Sequence, residues 1–200
     1  MFGLPIFTSF AMASYIEDKQ FENEDFATKP FDCKGYENCT FLNCNFEGAD
    51  IGGLHFTDCK FTNCNLSNAK LGKTGLRTVA FKQCKMLGLH FNDCHDFLFA
   101  VSFEACKLDF STFFEVKLKA TPFLDCSLRE VDFTAADLSS LVFDKCDLQD
   151  AHFERCNLEK ADFRTAFNYS FDPDQNKMNK AKFSIEGLPG LLGKYQLSIE

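Results

Sequence analysis

Every fifth residue from Phe103 to Phe163 is apolar, and phenylalanine alternates with leucine: Phe103, Leu108, Phe113, Leu118, Phe123, Leu128, Phe133, Leu138, Phe143, Leu148, Phe153, Leu158, Phe163. Two residues before most of these centres stands a small residue, among them Cys106, Ser111, Cys126, Ala136, Cys146 and Ala161. The same period runs upstream in another frame, through Phe21, Phe26, Phe31, Tyr36, Phe41, Phe46, Ile51, Phe56, Phe61, Leu66, Leu71, Leu76, Phe81, Met86 and Phe91. The two frames join by a slip of two residues within 92–98, with Leu98 as the connecting centre. A period of five is neither the 3.6 of a helix nor the 2 of a strand. A short fixed period held over most of a chain means a structural array.

The units Ala161-Asp162-Phe163-Arg164-Thr165, Ala136-Asp137-Leu138-Ser139-Ser140 and Cys64-Asn65-Leu66-Ser67-Asn68 resemble the A-(D/N)-(L/F)-x-x signature of pentapeptide repeat proteins. The resemblance covers residues 21–170. It implies an all-β solenoid: a right-handed, quadrilateral parallel β-helix with four pentapeptides per coil. In that fold the centre and the residue two before it face inward. Physical reasoning supports the geometry, because a 20-residue coil stacks like on like. Phe21, Phe41, Phe61 and Phe81 form one column, and Phe103, Phe123, Phe143 and Phe163 another. Leu108, Leu128 and Leu148 stack, as do Leu118, Leu138 and Leu158. At ~4.8 Å between neighbouring strands, the array is a rod roughly 35 Å long. The expected organisation is an N-terminal extension or cap at 1–20, the β-helix at 21–170, and a C-terminal cap and dimerisation module at 171–200.

Charge and cysteine content narrow the picture. The net charge of −8 and pI near 5 argue against nonspecific attraction to nucleic acid, which needs a positive surface. Ten of the eleven cysteines (Cys39, Cys44, Cys59, Cys64, Cys84, Cys94, Cys106, Cys126, Cys146, Cys156) fall in the small inward slot, and only Cys33 does not. They read as small core residues, with Cys44, Cys64 and Cys84 in one column and Cys106, Cys126 and Cys146 in another. Metal ligands converge on a point rather than follow a repeat. So many free thiols suit a reducing cytoplasm, which is the expected location. No segment reaches the ~20 apolar residues of a membrane span, and residues 1–14 lack the basic start of a secretory signal. In the first coil the small slot holds Lys19, Glu24, Lys29 and Lys34, which cannot be buried unpaired. That coil is expected to be frayed or lidded by residues 5–16. Asn23, Asn43, Asn63 and Gln83 form an outward file expected to bond as an amide ladder.

No catalytic constellation, phosphate loop or zinc spacing stands out, so the reading is a non-enzyme without cofactor or metal. The slip gathers His95, Asp96, Phe97 and Phe99, as either a solvated bulge or a binding knob. Between Cys59 and Asn92 there are six basic residues and no acidic one, whereas residues 93–174 hold 17 acidic and 8 basic residues, net −9. Asp109, Glu130, Asp132, Asp147 and Asp150 are candidate partner-binding carboxylates. Ser184 could cap a short, weak helix, with Leu197-Ser198-Ile199 as a last strand. Leu188, Leu191, Leu192, Tyr195, Leu197 and Ile199 are candidates for a homodimer contact, being more apolar surface than a lid needs. The chain is similar to the Qnr and MfpA group of pentapeptide repeat proteins. That resemblance implies a dimeric DNA mimic that binds type II topoisomerases and shields them from fluoroquinolones. The group's longer projecting loops are absent here, and the basic stretch interrupts the mimicry. The alternative is an interaction or scaffold rod with an unrelated protein partner.

Overall fold

The computed structural model describes residues 14–118 and 121–198. The chain winds as a right-handed, four-sided parallel β-helix. Strands β1 (Tyr15–Glu17), β3 (Gly35–Glu37), β5 (His55–Thr57) and β7 (Gly75–Arg77) form a four-stranded parallel sheet on the first face. A seven-stranded parallel sheet runs along the second face. It joins β2 (Gln20–Glu22), β4 (Thr40–Leu42), β6 (Lys60–Thr62), β8 (Val79–Lys82), β9 (Val101–Glu104), β10 (Pro122–Leu124) and β11 (Val142–Asp144). The third and fourth faces are held by single parallel bridges such as Asn45↔Asn65 and Thr112↔Asp132.

Each pentapeptide makes one face. The centre and the slot residue point inward, and their flanking neighbours point out. The second residue after the centre turns the corner in the left-handed region, as at Asn43 (φ 53°), Asn63 (φ 54°), Glu130 (φ 53°) and Asp150 (φ 57°). That conformation costs a non-glycine residue about 1–2 kcal/mol, and asparagine and aspartate tolerate it best. The file Asn23, Asn43, Asn63 and Gln83 consists of such corner residues. Within the file, only Asn63 Nδ2 donating to Asn43 Oδ1, at 2.7 Å, makes a rung.

Like rings stack up the interior. Phe41 and Phe61 lie 4.5 Å apart, Phe91 and Phe113 4.4 Å, and Phe103 and Phe123 4.9 Å. Leu108, Leu118, Leu128, Leu138, Leu148 and Leu158 fill the other two faces and are fully buried. The columns do not break at the slip: Phe81 stacks on Phe103 at 5.5 Å, and Lys85 bridges Lys107. The two expected cysteine columns are therefore one file, Cys44-Cys64-Cys84-Cys106-Cys126-Cys146, all buried and unpaired by disulfides.

Two kinds of corner occur. In a closed corner the N–H of the slot residue donates to the preceding centre's carbonyl, as in Ala49 to Phe46 at 3.0 Å and Ala136 to Phe133 at 2.9 Å. Corners that lead into a buried cysteine lack that bond. There the thiol lies 3.3–3.6 Å from the carbonyl two residues before it, as Cys39 to Glu37, Cys64 to Thr62 and Cys156 to Glu154. Most of these thiols also approach a centre's carbonyl one coil earlier, as Cys64 to the Phe41 oxygen at 3.4 Å. Cysteine thus serves as a weak donor to a carbonyl that an open corner leaves facing the core.

The ladder passes both boundaries drawn from the sequence. Ile16 pairs beneath Tyr36 through β1 and β3, and Lys29 Nζ binds Glu24 Oε2 at 2.6 Å beside the half-buried Phe21 and Phe31. The expected lid at 5–16 lies, except for its last three residues, outside the described residues. At the other end the array does not stop at residue 170. Asn168 turns a corner (φ 61°) and Tyr169 takes its place in the core, while bridges continue to Lys177 and Lys182. Phe183 stacks on Phe163 at 5.1 Å. The short helix α1 (Pro189–Leu192) then covers the end with Leu191 buried; Ser184 does not cap it, because Leu188 stands at its start without a side-chain cap and Ser184 Oγ accepts the Gly187 N–H at 3.2 Å in the preceding turn. Leu197 and Ser198 lie in no strand.

Candidate interaction surfaces

The slip opens the described wall on the first face. His95 still bridges Gly75, 20 residues away, whereas Val101 pairs with Val79, 22 away. The two extra residues therefore fall between 95 and 101, and the old frame persists to Asp96. Asp96 occupies the register of a centre, but a carboxylate cannot enter the dry core unpaired. Its side chain is fully exposed. A closed corner follows, with Leu98 left-handed (φ 60°) and the Phe99 N–H donating to the Asp96 carbonyl at 3.3 Å. Leu98 is thus not an inward centre; it is half-exposed, and Phe99 turns in instead, 6.5 Å from Phe91. The first face pays for this with a missing rung. Gly75 bridges His95 and Lys117 bridges Asp137, but no bridge joins the coil of residue 95 to that of Lys117 among the described residues. The second, third and fourth faces stay continuous at this level through Val79↔Val101, Lys85↔Lys107 and His90↔Thr112.

A cleft of about 580 Å³ opens at the gap, lined by Phe91, Cys94, Leu98, Phe99, Phe114 and Val116, with Asn92, Asp96, Glu115 and Lys117 at its rim. Phe97 projects beside it, 68% exposed, its ring 6.4 Å from that of His95. His95 Nδ1 accepts the Phe97 N–H at 3.1 Å, which sets the knob's shape. Burial pushes the half-buried Cys94 thiol up to about 12, so it is not an activated nucleophile. His95, Asp96, Phe97 and Phe99 are therefore brought together, with Phe99 as the wall and the other three outside.

The candidate carboxylates divide into two groups. Glu130 and Asp150 are exposed corner residues one coil apart. Asp132 is half-buried and accepts the Thr134 N–H at 2.9 Å; Asp109 accepts from Ser127 Oγ and the Arg129 N–H. Asp147 stands apart, because it is buried and fully engaged. Arg129 Nε lies 2.7 Å from it, and Asn168 Nδ2 2.9 Å. Burial alone would raise its pKa, but Asn168 and Arg129 outweigh that and hold it below the usual carboxylate range. It is an internal ion pair rather than a free surface charge. Asp162 is held likewise by Arg164 at 2.7 Å.

A second surface was not read from the sequence. On the first face the outward file alternates ring and glycine: Tyr15, Gly35, His55, Gly75, His95. A Cβ on Gly75 would lie 2.4 Å from His55 Nδ1, so the imidazole rests on the glycine. The 20-residue spacing of these residues was the available signal. In the C-terminal module Leu188, Tyr195 and Leu197 are exposed, Leu192 is half-buried, Leu191 is buried against the core, and Ile199 lies outside the described residues. Lys194 pairs with Asp172 at 2.7 Å and also with Asp174. No three His, Cys, Asp or Glu side chains are placed to hold a metal among the described residues.

Models of the pentapeptide repeats match residues 39–77 and of the pentapeptide repeat region residues 97–166, together more than half of the chain. This chain is a pentapeptide repeat protein. Among solved structures it is similar to a trypsin-treated form of QnrB1, a plasmid-mediated fluoroquinolone resistance protein. The identity is 17% and the TM-score 0.59, over 94% of this chain and 99% of that one. It is also similar to HetL, a pentapeptide repeat protein involved in heterocyst differentiation regulation from the cyanobacterium Nostoc sp. strain PCC 7120. There the identity is 14% and the TM-score 0.51, over 88% of this chain and 91% of that one. At such identities the likeness is one of fold. No curated protein sequence matches the chain.

Proposed function

We propose that this pentapeptide repeat protein is a non-catalytic rod that acts by binding another protein in the cytoplasm. The observation that carries this reading is the distribution of its chemistry. The interior is a stack made mainly of phenylalanine, leucine and cysteine, and the polar groups of the candidate surfaces other than Asp147 lie outside it. Exposed carboxylates at Glu130 and Asp150, with Asp109 and Asp132 nearby, repeat at the coil spacing of ~4.8 Å. In the finer reading this acidic half stands in for DNA on a type II topoisomerase, DNA gyrase or topoisomerase IV. The rod forms a homodimer through Leu188, Tyr195 and Leu197, and it changes fluoroquinolone sensitivity. The fold shared with QnrB1 supports that reading. Gyrase supercoiling in the presence of the purified protein, with and without a fluoroquinolone, tests it. Inhibition or protection that is lost in Glu130→Lys/Asp150→Lys supports mimicry; no effect at micromolar protein removes it.

A second reading, a scaffold for an unrelated partner, is favoured by two observations. Asp147 and Asp162 are consumed by internal ion pairs, and the stretch from Lys60 to Lys85 carries only positive charge. Such a partner leaves gyrase activity unchanged and co-purifies with the rod at a fixed ratio.

A further inference from the structure

We infer that the gap at the slip is a docking site for an extended segment of a partner protein, one that presents a large apolar side chain next to a lysine or arginine. This rests on the reading of the protein as an interaction rod, and it assigns where on the rod a segment binds and what chemistry that segment carries.

Backbone pairing is the first support. In this fold the residue before each centre aims both its N–H and its carbonyl at the preceding coil. Asp132 shows the pattern: its N–H donates to the Ser111 carbonyl at 3.0 Å and its carbonyl accepts the Phe113 N–H at 2.8 Å. Lys117 holds the equivalent position on the first face. Neither its N–H nor its carbonyl finds a backbone partner among the described residues, because Asp96 and its neighbours have swung outward. Exposed backbone groups at a strand edge are what strand addition uses. Two groups on one residue, pointing one way, match the two-bond rung that an extended peptide offers.

The cleft itself is the second support. It measures about 580 Å³, and its lining is mostly apolar: Phe91, Leu98, Phe99, Phe114 and Val116. Leu98 and Phe114 are 50% and 38% exposed, while the cleft side of the wall is Phe99. That volume accepts one or two large side chains, not a folded domain. Charge gives the third support. Asp96 and Glu115 stand at the rim of the opening and Lys117 is the one cation lining it, so a cationic flank on the incoming segment is complementary.

The test uses the full-length protein and a defined probe, the peptide acetyl-Arg-Val-Phe-Val-Lys-amide. Its controls are the same peptide with both cations replaced by glutamate and one with the valine amides methylated. Amide NMR shifts report the location of binding and a titration the affinity. The expected result is perturbation centred on Lys117, Leu98, Phe99 and Phe114. The anionic and methylated peptides should bind about tenfold more weakly, reflecting charge and backbone pairing respectively. Asp96→Lys alters only a fully exposed side chain and so leaves the fold intact; it should weaken the cationic peptide and strengthen the anionic one. Phe114→Ala should weaken both. Equal affinity for all three peptides, or shifts spread along the acidic faces, overturns the inference. The parallel measurement is the gyrase or partner-binding assay with Asp96→Lys. Partner binding retained in a variant that has lost peptide binding overturns the docking site and leaves the interaction rod standing. No partner binding by the wild type, with peptide binding intact, does the reverse.

Discussion

The coils on either side of the slip share one interior and differ in their corners. Below it, each coil from Gly35 to Phe81 has two open corners, leading into Cys39 and Cys44, then Cys59 and Cys64, and two closed ones. Above it, Cys106, Cys126 and Cys146 follow the second face's open corners, while the first face has turned closed, as Leu141 to Leu138 at 3.1 Å shows. The four-stranded sheet ends at β7 for the same reason: open corners leave room for three-residue strands, and closed corners reduce the pairing to single bridges. The slip sits where the first face changes from one kind of corner to the other. Two backbones of different shape cannot meet in register there, so one rung is lost and three faces carry on. The core thus constrains corner type only weakly. The surface charge, purely positive from Lys60 to Lys85 and net negative above the slip, is not constrained by the core at all.

The strongest way to break this comparison is to attack the shared core in both halves. Phe61→Ala and Phe123→Ala each remove a ring stacked on both sides, and each should cost about 3–5 kcal/mol in chemical denaturation. If one half tolerates its substitution while the other unfolds, the two interiors are not equivalent. Next in size is the ion pair peculiar to the acidic half. Asp147→Ala strands Arg129 and Asn168 and should cost about 1–3 kcal/mol, with Phe61 still protected from exchange.

The acid response follows from the same groups. The folded carboxyls of Asp147 and Asp162 lie below their ordinary 3.8, so the stability they supply is complete above that value. It is lost as the pH falls through their folded values. Hydrogen exchange at pH 3 should therefore loosen coils 141–167 before coils 35–81; uniform loosening would show that these pairs do not matter.

The corner hypothesis is sharpened by smaller changes. Cys64→Ala should cost about 1 kcal/mol, and Cys64→Ser should recover part of it by keeping a donor near the Thr62 carbonyl. The smallest effect is expected outside: Glu159→Ala, on the exposed surface, should change stability by less than ~0.5 kcal/mol.

Much of the fold was legible because inward positions obey a rule that a linear sequence displays. The period of five, the stacking of Phe103 on Phe123 and the burial of Leu138 all follow from spacing alone. What the spacing hid is backbone conformation. The asparagines at 23, 43 and 63 read as a side-chain ladder, yet they stand where a left-handed corner needs a tolerant residue. Buried cysteine in the slot marked an open corner and alanine a closed one, whereas the half-buried Cys94 follows a closed corner, a distinction invisible until the carbonyl positions are known. Leu98 passed as a centre because it is apolar, while the decisive residue was Asp96, whose charge forbids entry to the core. Of the candidate site, His95, Asp96, Phe97 and Phe99 do cluster. Asp147 does not belong with the exposed carboxylates, because its partners Arg129 and Asn168 lie 18 and 21 residues away and only the winding brings them together.

The two extra residues between His95 and Val101 also make the rod mechanically legible. A solenoid whose coils touch only their neighbours peels from an end one coil at a time under tension. Each coil that leaves releases 20 residues, about 70 Å of extended chain, whereas the turn between Val79 and Val101 releases 22 and a step longer by about 7 Å. That turn also lacks one rung, so it should part at a lower force than the coils around it. A dislocation in a crystal has the same two signatures, a misfit length and a local weakness. Here it divides a uniform fibre into two lengths that can yield separately.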